Sequence, residues 1–195
     1  MSNEIFKDHE RAQEAHYFRQ QDEKLLESLR KKAPLDEIAK ALGDKLQIDN
    51  PELLDRVRQL GLKPETAPAL FLAPLVQVAW AEGKISKDEQ DAVLRLALDR
   101  DVERDSPVYM QLLDWLAARP SDETFDTAVE LLKFGFAVLP EDEREARIKR
   151  IVEACHEVAA ASGGGLAKLL GLGSSVSDVE ASMLDSINDT LRSQS

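Results

Sequence analysis

Apolar residues recur at helical spacing along most of this chain. The densest run is Ala67 to Ala81, where Gln77 is the only strongly polar residue. It lacks two-residue alternation, so it predicts a helix buried on most sides. Pro74 has no N–H and crowds the carbonyl four residues back, which predicts a bend inside that helix. Gly83 suits the stop, because its backbone tolerates positive φ. Ser86 and Glu89 then form an S-x-x-E capping box that opens a second helix. Val93, Leu96 and Ala97 continue one face of it.

The same pattern organises the flanks. Asn50-Pro51 is a cap with proline at the first helical position, and Leu53, Leu54, Val57 and Leu60 carry that helix to Gly61. Ser106-Pro107 starts another, through Tyr109, Leu112, Leu113 and Leu116. Around Thr124 to Leu139 come Leu131, Leu132, Phe134, Phe136, Val138 and Leu139. This segment is apolar almost all round and is the second expected buried helix. Pro140-Glu-Asp-Glu puts negative charge where a helix dipole favours it. Ile148, Ile151, Val152, Cys155, Val158 and Ala159 form one stripe of the helix that follows. Cys155 therefore reads as a buried, inert thiol. His156, just off the stripe, reads as structural. Val176-Ser177-Asp178-Val179-Glu180 repeats Ile85-Ser86-Lys87-Asp88-Glu89, and Leu184 and Ile187 match Val93 and Leu96. That suggests an internal pseudo-duplication; a shared capping solution without duplication is the alternative.

The ends differ from this centre. Residues 3–32 read as one long charged helix without Gly or Pro, with a thin stripe of Ala15, Phe18, Leu25 and Leu29. So little apolar surface does not hold a helix firmly to a core, so it projects, self-associates or docks on something else. A short amphipathic helix follows, on Leu35, Ile38, Ala39 and Leu42. The Gly-rich segment from Ser162 to Ser175 reads as a flexible corner. It lacks the Gly-Lys-Ser/Thr of a phosphate loop and the third glycine of a dinucleotide fingerprint. Three units result: a charged N-terminal helix at 1–33, a small helical adaptor at 34–63 and a helical domain at 64–195.

Composition narrows the function. The chain has 195 residues, 43% hydrophobic and 32% charged, with net charge −12. That balance argues against a nucleic-acid or anionic-membrane surface. The single cysteine excludes an internal disulfide framework and, with the absence of an apolar leader at the start, fits a cytoplasmic setting. The run at 67–81 is shorter than the ~20 residues of a membrane span. No nucleophile–base pair, phosphate cradle or His-rich site is evident, so an enzyme is not expected.

Candidate chemistry gathers at carboxylates. Glu82-Gly83-x-Ile85-x3-Glu89 has the back half of an EF-hand loop, but Val78 and Trp80 stand where its first two carboxylates belong, so an EF-hand is rejected. Two readings stay open: acids that cap and solvate a plain helical hairpin, or a cation site.

The pattern Ala79-Trp80-Ala81-Glu82-Gly83-Lys84-Ile85-Ser86-x-x-Glu89 resembles the motif of the TerB-like family, associated with tellurite resistance. So does Gly171-x-Gly173-Ser174-x-Val176-Ser177-x-x-Glu180. The resemblance spans about 67–191 and implies an all-α bundle around two buried central helices. It also implies an acidic surface that binds divalent metal, which would fall on Glu82, Asp88, Glu89, Asp178 and Glu180. A divalent cation is the one cofactor so suggested. The family occurs in stress-response and membrane-linked complexes. The run from Arg11 to Lys31 resembles the inhibitory helix of the mitochondrial ATP synthase inhibitor. The matching residues are Glu14, Tyr17, Phe18 and Arg19, with Leu26 and Leu29 as the tail. The leading expectation is a non-enzymatic TerB-like protein acting in tellurite or metal-ion stress through acidic surfaces and a protein partner. The alternative is an interaction module, or ATPase-inhibitor-like regulator, that presents its N-terminal helix to a target. Self-association is compatible with either.

Overall fold

The computed structural model describes residues 50–162 and 176–193. The expectations for Glu14, Tyr17, Phe18, Arg19, the 35–42 helix and the Gly-rich corner lie outside the described residues. Every regular element among those described is helical: α1 (Pro51–Gln59), a 3-10 helix (Ala67–Leu72), α2 (Ala73–Ala79), α3 (Lys87–Leu98), α4 (Pro107–Ala117), α5 (Asp122–Ala137), α6 (Glu141–Ser162) and α7 (Asp178–Arg192). None of these helices is long and apolar enough to cross a membrane.

The starts follow side-chain chemistry. Asn50 Oδ1 accepts from the Leu53 N–H at 3.0 Å. Ser106 Oγ accepts from Tyr109 N–H at 3.2 Å, and Ser121 Oγ from Thr124 N–H at 3.3 Å. Each replaces one intrahelical bond that a first turn cannot make. Gly61 and Gly83 carry φ of 73° and 77°, the left-handed stops expected of them.

The apolar run at 67–81 is not one bent helix. Pro74 falls in the first turn of α2, and the residues before it adopt the tighter 3-10 form. Proline fits a first turn, where its missing N–H costs nothing, but not a helix interior. The chain breaks where a bend was expected. The short α2 that remains packs against α3, α4, α5, α6 and α7. Val76 and Val78 are fully buried.

α5 is the second buried helix and packs on α1, α2, α6, α7 and the 3-10 segment. Leu131 and Leu132 are buried as expected, but Val138 is 53% exposed. It lies past the last turn of α5 as the C-cap, so the helical face no longer aims it inward. Leu53, Leu54 and Val57 of α1 join the same core. Trp80 ties the end of α2 to α4 by donating from Nε1 to the Trp115 carbonyl at 2.9 Å. Cys155 is buried in the α6 stripe, and burial pushes its thiol up to about 12, with Arg100 pulling the other way. A thiol so rarely ionised is no nucleophile at neutral pH. His156 faces solvent, not the core.

Candidate functional site: twin capping carboxylates and an apolar groove

The two capping boxes are built alike. Ser86 N–H donates to Glu89 Oε2 at 2.7 Å, and Glu89 N–H donates to Ser86 Oγ at 3.2 Å. Ser177 N–H donates to Glu180 Oε2 at 2.7 Å, and Glu180 N–H donates to Ser177 Oγ at 3.3 Å. Both glutamates are buried, at 4% and 0% exposure, which is unusual for this residue type. Tertiary packing brings them into one electrostatic neighbourhood. Burial is the main influence raising the Glu89 carboxyl above its ordinary value. Hydrogen bonds from Ser86 oppose it, and the Glu180 and Glu82 carboxylates add to it.

Of the other candidate acids, Glu82, Asp88 and Asp178, only Glu82 acts on Glu89, and all three lie at the surface. Among the described residues, no three His, Cys, Asp or Glu side chains come together to hold a metal ion. The box geometry explains part of this. Each buried glutamate turns one oxygen onto its own backbone, and that oxygen is engaged where a cation would need it.

A second candidate site lies elsewhere. A groove of roughly 1330 Å³ opens between the 3-10 segment, the end of α3, the 99–106 loop, α5 and α6. Its floor is apolar: Phe71, Leu75, Leu132, Phe136 and Ile151. Phe71, Val102, Val108, Leu139 and Ile151 are only partly buried, so the groove exposes core-type side chains.

Its charged rim is sorted along α6. Arg95 pairs with Glu157 at 2.6 Å, which sets α3 beside the second half of α6. Asp99, Glu153 and Glu157 therefore share one end, with Asp101 and Glu103 in the loop leaving α3. Arg147 and Arg150 line the groove one to three turns earlier, toward the α5–α6 turn. The result is an apolar trough with a basic end and, opposite it, an end where acids predominate around Arg100.

A smaller cleft of about 240 Å³ lies on another side of α5, between Arg56, Gln77, Asp126, Glu130 and Thr190. Arg56 pairs there with Glu130 and donates to Thr127 Oγ1 at 3.2 Å. Gln77, the polar residue in the apolar run, has its Oε1 buried without a hydrogen-bond partner.

Sequence reasoning found Glu89 and Glu180 but missed the groove. Phe71, Leu132, Phe136 and Ile151 come from separated segments and read locally as ordinary core. The one available signal was the charge-dense 99–105 loop, Asp-Arg-Asp-Val-Glu-Arg-Asp. In it Asp101 and Asp105 adopt φ of 62° and 63°. No family model matches the chain, and neither the curated proteins nor the solved structures give a match.

Proposed function

We propose that this chain is a non-enzymatic helical interaction protein, TerB-like in organisation, that serves tellurite or metal-ion stress by binding a protein partner. The observation that carries the binding role is the groove, with partly exposed core-type side chains such as Phe71, Val102, Leu139 and Ile151, and with acids predominating at one end and arginines at the other. Apolar troughs of this kind take the apolar face of an amphipathic helix. The sorted rim favours a helix with an acidic start and a basic end, laid parallel to α6. A synthetic amphipathic peptide of that charge order is expected to bind the full chain, followed by fluorescence anisotropy. Leu139→Asp at the groove edge weakens binding at least tenfold. The same composition with the charges reversed binds more weakly. Equal binding by both peptides, or by the variant, removes the groove from the account. The stress assignment rests on the TerB-like motif pair. Cells deprived of the chain that grow normally in tellurite and in excess divalent metal would contradict it.

A second reading has its own support. Glu89 is buried close enough to Glu180 and Glu82 for their charges to act on it. A divalent cation would relieve that repulsion. Titration calorimetry with calcium, magnesium and manganese is expected to show weak heat that Glu89→Gln abolishes. Absence of heat with all three ions would eliminate the cation reading and leave the groove untouched.

A further inference from the structure

The charge order that suits an incoming helix is carried by α6 itself. We infer that two copies of this chain pair about a two-fold axis, each laying its α6 antiparallel in the groove of the other. The inference rests on the reading of the groove as a helix-binding surface and names one occupant, a second copy of the chain.

Three observations support it. The first is the stripe. Arg147, Arg150, Ile151, Ala154 and Glu157 all line the groove and recur at three- and four-residue spacing. They form one face of α6, with the spacing by which two helices meet along a seam. Arg147, Arg150 and Glu157 are exposed on it, as is Glu153 beside them. Because α6 is one wall of the groove, the face that receives the second helix is also the face that enters the second groove.

The second is charge. From its start this face runs Arg147, Arg150, Glu153, Glu157. Laid antiparallel, Arg150 of each copy meets Glu153 of the other and Arg147 meets Glu157, so every attraction is made twice. A parallel arrangement sets Arg150 against Arg150 and Glu153 against Glu153, which disfavours it. Within one chain, Arg147 pairs with Glu143 at 3.2 Å, Glu153 with Lys149 at 3.8 Å and Glu157 with Arg95 at 2.6 Å. All are exposed pairs, which hold their partners weakly. Arg150 pairs with no carboxylate among the described residues. Arg100 is the like charge at the end where the second copy's arginines arrive. It donates from Nη1 to the Leu96 carbonyl at 2.8 Å, and Asp99, Asp101 and Glu103 share that end with it. Glu141, Asp142 and Glu143 of the second copy then run alongside Ala160 and Ala161, where α6 carries no acid.

The third is what remains uncovered. Val102, Val108 and Ile151 are core-type side chains left partly exposed at the groove. A helix laid between α6 and the 99–106 loop covers them. From Arg147 to Glu157 is ~15 Å, about three turns. A contact of that length plus the loop belongs to the small interfaces, below roughly 1,200 Å² in total, so the pairing is reversible and a tighter helix displaces it.

The test is sedimentation of the full chain over a concentration series at low salt, which is expected to show a reversible monomer–dimer equilibrium. Arg150→Glu and Glu153→Arg each weaken it at least tenfold, because two-fold symmetry counts each change twice. The two changes in one chain restore the dimer. An equimolar mixture of the two single variants forms a heterodimer although neither pairs with itself. Circular dichroism of each variant checks that its helices are intact. A chain that stays monomeric at every concentration overturns the inference. So does a dimer indifferent to both charge changes, or one that neither the double variant nor the mixture restores. The groove reading is assayed separately, with the amphipathic peptide. Peptide binding by a chain that never dimerises discards the second copy and retains the groove. A charge-governed dimer that binds no peptide supports the second copy and discards the external helix.

Discussion

The α2–α3 and α6–α7 hairpins start from the same local instruction and meet different surroundings. Each second helix begins with an apolar residue, a serine cap and a glutamate three positions on. The two caps agree within 0.1 Å in both hydrogen bonds. Beyond the caps the hairpins diverge. α3 packs more against α6 than against its own partner α2, whereas α7 is shared among α5, α6 and α2. α2 is a short rod surrounded on all sides, while α6 is long, with one stripe inward and the rest in solvent. A capping box thus decides where a helix starts and says nothing about what that helix leans on. The packing of α3 on α6, which also carries α7, is what brings Glu89 and Glu180 into one neighbourhood.

The comparison breaks most visibly in the core. Leu96→Ala and Ile187→Ala remove equivalent side chains, 5% and 3% exposed, from the two second helices. Each is expected to cost about 2–5 kcal/mol in urea unfolding. If the hairpins are interchangeable, the two costs agree. A Leu96→Ala cost well below that of Ile187→Ala would show that α3 relaxes into the neighbouring groove, whose lining includes Leu96. The caps come next. Ser86→Ala and Ser177→Ala should each lose ~1 kcal/mol. Their double variant departs from additivity only if the two boxes are coupled through their glutamates, and a thermodynamic cycle measures that departure.

The Glu89 charge gives a subtler handle. Its carboxyl sits above the ordinary value in the folded state, so charging it at neutral pH destabilises the fold. As pH falls toward 4.5, the folded chain takes up this proton before the unfolded chain does, and that penalty fades. Glu89→Gln retains an oxygen to accept from Ser86 N–H. It should match or exceed the parent in stability at pH 7, with the difference shrinking toward pH 5. A difference that grows on acidification would contradict a carboxyl raised chiefly by burial. The smallest effect is expected at Gln77→Met, which removes the orphaned amide oxygen from α2. Since a buried unpaired polar atom costs on the order of 1–3 kcal/mol, this exchange should be neutral or raise Tm slightly, and a large loss would reveal a hidden partner.

Much of the fold is legible in single positions. Asn50, Ser86, Ser106, Ser121 and Ser177 fix five helix starts through bonds to residues three further on, a range that sequence displays directly. Of the two buried rods, α2 is visible because it lacks a polar face, whereas α5, expected to be apolar almost all round, keeps an exposed one on Asp122, Asp126 and Glu130. The break at Pro74 was half legible: proline announces a disturbance, but whether the chain bends or changes helix type depends on what packs around it. The site is less legible. Glu89 and Glu180 stand out as acids at caps, yet their burial and mutual influence arise from α3 and α7 being folded against neighbours far away in the chain. Arg56 pairs with Glu130 and Arg192 with Glu145 at separations no local pattern encodes.

By itself, then, the sequence determined that the regular elements of the described residues are helices, where many of them start and stop, and which stretches must leave water. Those depend on backbone hydrogen bonds and apolar periodicity within a few turns. Only the tertiary structure decided that α2 stands at the centre and that two capping glutamates share one neighbourhood. It also decided that five apolar residues from four segments line one trough, with different charges gathered at its two ends. Packing between distant segments sets all three, because apolar burial rewards contact without naming the partner.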